Sequence, residues 1–236
     1  MTIPNPATIL ITGASSGIGR AIAEKLTAPG RTLHLMGRDT KRLQSIADHV
    51  QSGGGKPICH VSDLAEPEQF ESDINQLKQQ ITQLDVIIHS AGVVSLGPLA
   101  SAPVDDLDWM MRINLRAPLL LTQTLMAALR EAQGQVVFIN SGAGLRAKAG
   151  WGQYAATKFA LKALADSLRE EVASDGIRVL SVFPGRTASP MQARVRKLEG
   201  SPYNADDYMQ PIDVAEMVAQ SLTVDRRAGV HELNIR

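Results

Sequence analysis

"ILITGASSGIGRAIAEKL", residues 9–26, passes from a β-branched apolar run through a glycine-rich turn straight into a helical pattern. Gly13, Gly17 and Gly19 fall on the turn and the first helical turn. Glycines there permit a tight turn and let a pyrophosphate come close to the backbone, while free amides and the helix dipole face the anion. A strand, such a turn and a helix at the start of an α/β pattern predict a dinucleotide-binding unit rather than a plain structural turn. Ser15, Ser16 and Ile18 complete the expected phosphate contacts.

The rest of the chain extends that pattern. Strand-like runs lie at 7–12, 32–37, 57–61, 85–90, 135–140, 177–183 and 230–235, most of them nearly continuous in apolar character, as in strands covered on both faces. Helical stretches fall between them at 17–28, 40–52, 66–80, 104–131, 152–174 and 211–222. This alternation predicts an α/β doubly wound (Rossmann) fold, with a seven-stranded parallel sheet, right-handed crossovers and helices on both faces. No linker or repeat divides residues 1–236, so one nucleotide-binding domain is expected. Residues 185–210, "GRTASPMQARVRKLEGSPYNADDYMQ", read as a long irregular loop that closes over a substrate.

Composition sets broad limits. The 236 residues are 44% apolar and 20% charged, with 24 basic and 24 acidic side chains. A net charge of zero gives no reason to expect a nucleic-acid or membrane-surface partner. The start, "MTIPNPATILITG", has no basic region and only a short apolar run, and neither a signal peptide nor a transmembrane span is expected. The single Cys59 cannot form an internal disulfide, which fits a reducing, cytoplasmic setting. The five histidines lack metal-ligand spacing. His34 and His89 read as core or strand-end residues, and no metal is expected.

A second motif is "YAATK", residues 154–158, which puts a phenol and an ammonium one turn apart on one helix face. Taken alone it is also compatible with a surface pair whose lysine stem snorkels. Its context decides. "TGASSGIG" has the TGxxxGxG spacing of the compact, one-domain short-chain dehydrogenase/reductase family, and "YAATK" matches its YxxxK. Ser141 stands thirteen residues before Tyr154, as the family serine does. Asn114 in "MRINLRAPLLLTQ" resembles its helix-interrupting asparagine, and "FPGRTASPM" its PG motif. The resemblance runs from about residue 7 to the final strand.

The resemblance implies an NAD(P)(H)-dependent oxidoreductase acting on a carbonyl or an alcohol. Tyr154 would be the general acid/base. Lys158 would lower the phenol's pKa and hold the nicotinamide ribose, Ser141 would hydrogen-bond the substrate oxygen, and Asn114 would hold a water linking the lysine to solvent. Asp63 and Leu64 would lie at the adenine, with a helix N-cap as the alternative for Asp63. Ser90, Ala91 and Gly92 would follow the adenosine ribose. Pro184, Gly185 and either Thr187 or Ser189 would reach the carboxamide or pyrophosphate.

At the end of the second strand Gly37 occupies the place where an acidic residue would repel a 2′-phosphate, and Arg38 follows it. This favours NADP(H) and leaves NAD(H) open; Asp39 reads as the N-cap of the next helix. Two departures stand out. "HSAG" (89–92) replaces the family's NNAG, which leaves the role of His89 open, and the DGG ending common in the family is missing. The small apolar residues of 104–131 and 152–174 resemble the family's dimerisation helices, which implies a homodimer or homotetramer. Arg146, Lys148, Arg186, Arg194, Arg196 and Lys197 near the pocket mouth read as a solvated loop and charged lid, with an anionic substrate or carrier as the other reading. Trp151 is either a pocket wall or an interface residue. Two other readings are an NADP(H)-binding redox sensor without turnover, and a lyase or epimerase. The complete Ser141, Tyr154, Lys158 and Asn114 set argues against the first, the glycine spacing against the second.

Overall fold

A computed structural model describes Ile3 and residues 5–236. Seven parallel strands form one sheet: β1 (Ala7–Thr12), β2 (Arg31–Gly37), β3 (Lys56–Val61), β4 (Val86–His89), β5 (Gln135–Ile139), β6 (Arg178–Pro184) and β7 (Glu232–Ile235). Their order is β3-β2-β1-β4-β5-β6-β7, as the doubly wound reading expects. The order reverses between β1 and β4, and such a switch point opens a crevice at the strands' carboxyl ends.

The strands are apolar on both faces because both are covered. Ile9, Ile11, Leu33, Leu35, Ile88 and Val182 face one core, filled by α1 (Gly17–Lys25), α2 (Thr40–Ser52) and α9 (Pro211–Thr223). Leu10, Met36, Ile87, Val136 and Phe138 face the other, against α3 (Pro67–Gln80), α5 (Ala117–Thr124), α6 (Met126–Ala132) and α7 (Gly152–Glu171). Alternation along each strand supplies both cores from one run of residues.

Two stretches differ from the sequence reading. The helix expected over 104–131 is broken: α4 (Val104–Met111) passes through a π-helical turn (Arg112–Arg116) into α5, and α6 begins after Leu125. π-Turns arise where a side chain or backbone interaction interrupts the regular ladder. Here Asn114 at its centre turns inward: its amide donates to the Val93 carbonyl at 3.0 Å and to Thr157 Oγ1 at 3.0 Å, and accepts from the Val93 N–H at 2.8 Å. The second is the segment 185–210. It is not a structureless loop but carries α8 (Pro190–Leu198), with Ser189 accepting from the Gln192 N–H as its N-cap and Pro190 at the first position.

Candidate active site

The glycine turn after β1 lies at the switch point. Gly13 has φ +68°, and a Cβ there would stand 2.8 Å from the Ala91 backbone, so only glycine lets the β1 and β4 ends approach this closely. Gly19 in α1 packs against the Gly13 carbonyl with no room for a side chain. Thr12 supports the arrangement: its hydroxyl accepts from the N–H groups of Ser90 and Ala91 at 3.2 and 3.1 Å. Sequence reasoning missed Thr12, which reads as an ordinary strand residue.

From this turn a cavity of about 850 Å³ runs in two directions. Toward the β2 end it is lined by Arg38, Asp39, Arg42 and Asp63; toward α7 and α8 it is lined by Tyr154, Lys158, Ser189, Met191 and Arg194. Ser15, Ser16, Gly17, Ile18 and the Ser90–Gly92 backbone lie between. A smaller hollow of about 130 Å³ beside Gly37, Arg38, Ser62, Asp63 and Leu64 continues the β2 end. Among the predicted residues, Gly19, Asn114, Ser141, Pro184, Gly185 and Thr187 are not on the cavity wall. Thr187 is buried and its hydroxyl donates to the Gly185 carbonyl, so Ser189 is the residue presented to the cavity. Gly185 donates its N–H to Ile235 at the end of β7.

Asp39 is the N-cap of α2, accepting from the Arg42 N–H. Asp63 is not an N-cap. Its carboxylate accepts from the Ala65 N–H and pairs with Arg38 at 3.5 Å, while Glu66 precedes α3. Arg42, one turn into α2, adds a second guanidinium at this end that sequence reasoning passed over.

At the other end the close of β5 and the first turns of α7 interlock. Tyr154 and Lys158 are buried on one face of α7, with the ammonium 5.9 Å from the phenol ring centroid. Lys158 Nζ donates to the Ile139 carbonyl at 3.3 Å, at the end of β5. Asn140 donates to the Lys158 carbonyl and accepts from the Ser141 N–H, tying the strand end to the helix. Thr157, next to the lysine, is the hydroxyl that Asn114 holds. Thr157 and Asn140 were not singled out from the sequence.

Burial shapes the electrostatics. It lowers the Lys158 pKa to about 8. It also raises the Tyr154 phenol above its ordinary value, with the Ser141 hydroxyl acting in the opposite direction. Loss of water around the ring sets this direction in the chain by itself. Trp151 meets Tyr154 edge to face at 5.9 Å and carries the Lys148 ammonium 4.1 Å above its ring, so it backs the tyrosine rather than lining the cavity. His89 fills the place of the family asparagine in β4. Its ring stacks on Phe138, its Nε2 meets Thr122 Oγ1 at 2.9 Å, and burial lowers its pKa to about 3.

Lys148, Arg186 and Arg196 have a common acidic partner, with Lys148 still exposed. All three converge on Glu199, just past α8, at 3.7, 2.6 and 3.2 Å. No group of three or more His, Cys, Asp or Glu gathers to hold a metal among the described residues. No described helix is long and apolar enough to cross a membrane.

A strand-turn-helix cradle joined by one cavity to a buried tyrosine–lysine pair defines a class, and the comparisons with known proteins agree with it. The chain belongs to the short chain dehydrogenase family of oxidoreductases, whose model matches residues 7–200. It is 30% identical, over a 239-residue alignment covering 100% of this chain and 99% of the relative, to an uncharacterized oxidoreductase of Staphylococcus aureus strain USA300. Among solved structures it is similar to an alcohol dehydrogenase from the archaeon Thermococcus sibiricus complexed with 5-hydroxy-NADP, with TM-score 0.87 and 26% identity, covering 98% of this chain and 96% of that one. It is also similar to a short chain dehydrogenase from Burkholderia cenocepacia J2315 in complex with NADP, with TM-score 0.85 and 28% identity, covering 99% and 98%.

Proposed function

We propose that this protein is an NADP(H)-dependent carbonyl reductase, or the reverse alcohol dehydrogenase, with Tyr154 as its general acid/base. The observation that carries the reading is the single cavity that joins the glycine turn and Arg38 at one end to Tyr154 and Lys158 at the other. The cofactor, when bound, supplies or takes up the hydride. Its fit is supported by the side-chain-free turn at Gly13 and Gly17 on the cavity wall and by two guanidiniums toward the end of β2.

The proton chemistry falls to the chain. A phenol raised by burial is protonated at neutral pH and is a competent donor to a carbonyl oxygen as negative charge develops there. Lys158, with a pKa of about 8, is mostly an ammonium at pH 7 and stabilises the phenolate left behind. The Ser141 hydroxyl hydrogen-bonds the Tyr154 phenol, and we assign it as a second donor beside the oxygen that the phenol protonates. Asn114 acts by position: its three hydrogen bonds fix the π-turn against Val93 and Thr157, and so the lysine's stretch of α7. We assign the adenine end to Asp63 and Leu64, and the pyrophosphate to Ser15, Ser16, Gly17, Ile18 and Ser189. Residues 1–236 act as one domain, with 185–210 covering the substrate, and α4 to α7, with Phe159 exposed on α7, forming a dimer or tetramer interface.

Gly37 leaves room for a 2′-phosphate, and Arg38 and Arg42 offer charged donors to it. The experiment is kcat/KM for NADPH and NADH across ketones, aldehydes, quinones and β-keto thioesters, in wild type and Arg38→Ala. NADPH is expected to be preferred, and the substitution to weaken it by about 10- to 100-fold while leaving NADH little changed. A wild type that prefers NADH would overturn the cofactor assignment.

A further inference from the structure

We infer that the substrate is an oxo acid and that Arg194 recognises its carboxylate; the inference rests on the reductase reading above. Ser189 at the start of α8 stands 3.3 Å from where a Cβ of Gly17 would lie, so the helix begins on the glycine turn. Met191 and Arg194, three residues apart, share a helix face and both line the cavity with Tyr154. The Arg194 guanidinium carbon is 5.6 Å from the Trp109 ring centroid. Trp109 and Met191 in turn pack on the apolar cluster built around Tyr154. The ring attracts the cation at this distance, and no acceptor among the described residues takes the guanidinium N–H groups, which suit a planar, two-oxygen acceptor.

Charge at this end is unbalanced. Among the described residues Arg194 makes no hydrogen bond and no ion pair, whereas neighbouring Lys148, Arg186 and Arg196 share Glu199. The carboxylates on the cavity wall, Asp39 and Asp63, are at the far end and pair with Arg42 and Arg38. The Tyr154 end therefore holds two cations without a carboxylate partner: buried Lys158, whose ammonium donates to the Ile139 carbonyl, and Arg194, exposed at the mouth beside Val93, Val94, Trp109 and Met191. A carboxylate would be costly to bring beside those apolar walls without a charged partner, and Arg194 is that partner.

The test uses acetoacetate and levulinate against their methyl esters, with NADPH, in wild type, Arg194→Gln and Arg194→Lys. The acids are expected to be preferred by wild type. Arg194→Gln should lower the acid-to-ester ratio of kcat/KM by about 10- to 100-fold, chiefly through KM, and Arg194→Lys should keep part of it. A ratio unchanged by Arg194→Gln would overturn the inference. So would a rise in the NADPH dissociation constant by the same factor, since the guanidinium would then belong to the cofactor's phosphates. If wild type turned over neither acids nor esters, the reductase reading would fail for these substrates. Calorimetry of levulinate with the protein and NADP⁺ would then decide the subsite: binding weakened by Arg194→Gln upholds it, and no binding by wild type contradicts it.

Discussion

Lys158 is an ammonium placed where water is excluded, and that has a consequence for the chain's stability. Its folded pKa of about 8 lies below the ordinary 10.5. Between those values the unfolded chain holds one more proton than the folded one, so stability rises with pH through this window. Denaturant midpoints between pH 7 and 9.5 should show about 2 kcal/mol of such gain in wild type relative to Lys158→Met. Parallel pH profiles for the two proteins would mean that the lysine is well hydrated. Tyr154 acts in the opposite sense only above pH 10, because its folded pKa is raised. Gly13 makes a different prediction. Alanine there must adopt φ +68° and displace the Ala91 backbone, at a cost of about 1–3 kcal/mol. Gly13→Ala should therefore melt earlier and lose NADPH binding, measured by thermal unfolding and fluorescence titration.

α8 is held at both of its ends by contacts outside itself. Its start rests on the glycine turn, and the chain just beyond its end is held by Glu199, which receives both Arg186 nitrogens at 2.9 and 2.6 Å. Arg186 holds the Glu199 carboxyl below its ordinary value, so the clamp persists through pH 4.5 and is lost only as the pH falls further. Glu199→Gln should leave three cations without a counter-charge. Amide exchange over residues 190–199 should then accelerate by about ten-fold with the sheet unchanged; equal protection in the two proteins would show that packing alone holds the helix. This clamp was not legible in the sequence. The basic residues of 185–210 were visible, but nothing in their spacing singles out Glu199 as their common partner, since the contact with Lys148 bridges two distant segments. The π-turn was half legible: Asn114 was singled out by resemblance, yet the helical period around it is unbroken, and only the tertiary hydrogen bonds to Val93 and Thr157 reveal the interruption.

Across the whole molecule, the parallel sheet was legible because two-sided burial writes itself as β-branched runs separated by helical periods. The Tyr154–Lys158 pair and the glycine turn were legible as local motifs. Their union in one cavity was implied by the family resemblance and not by either motif itself, and the phenol's raised pKa was not legible, because both depend on how α7 and α8 close against the switch point. Thr12, Arg42, Asn140 and Thr157 escaped notice for the same reason. The central claim is that this cavity carries out proton-coupled hydride transfer, with the proton on Tyr154. Its most direct measurement is single-turnover transfer of deuterium from 4-deuterated NADPH to a turned-over ketone, in wild type and Tyr154→Phe, with NADPH affinity measured in parallel. Label should enter the alcohol carbon in wild type. In Tyr154→Phe the rate should fall by roughly 10²–10⁴-fold while NADPH affinity stays within about three-fold. Transfer by Tyr154→Phe within a few-fold of the wild-type rate would contradict the account.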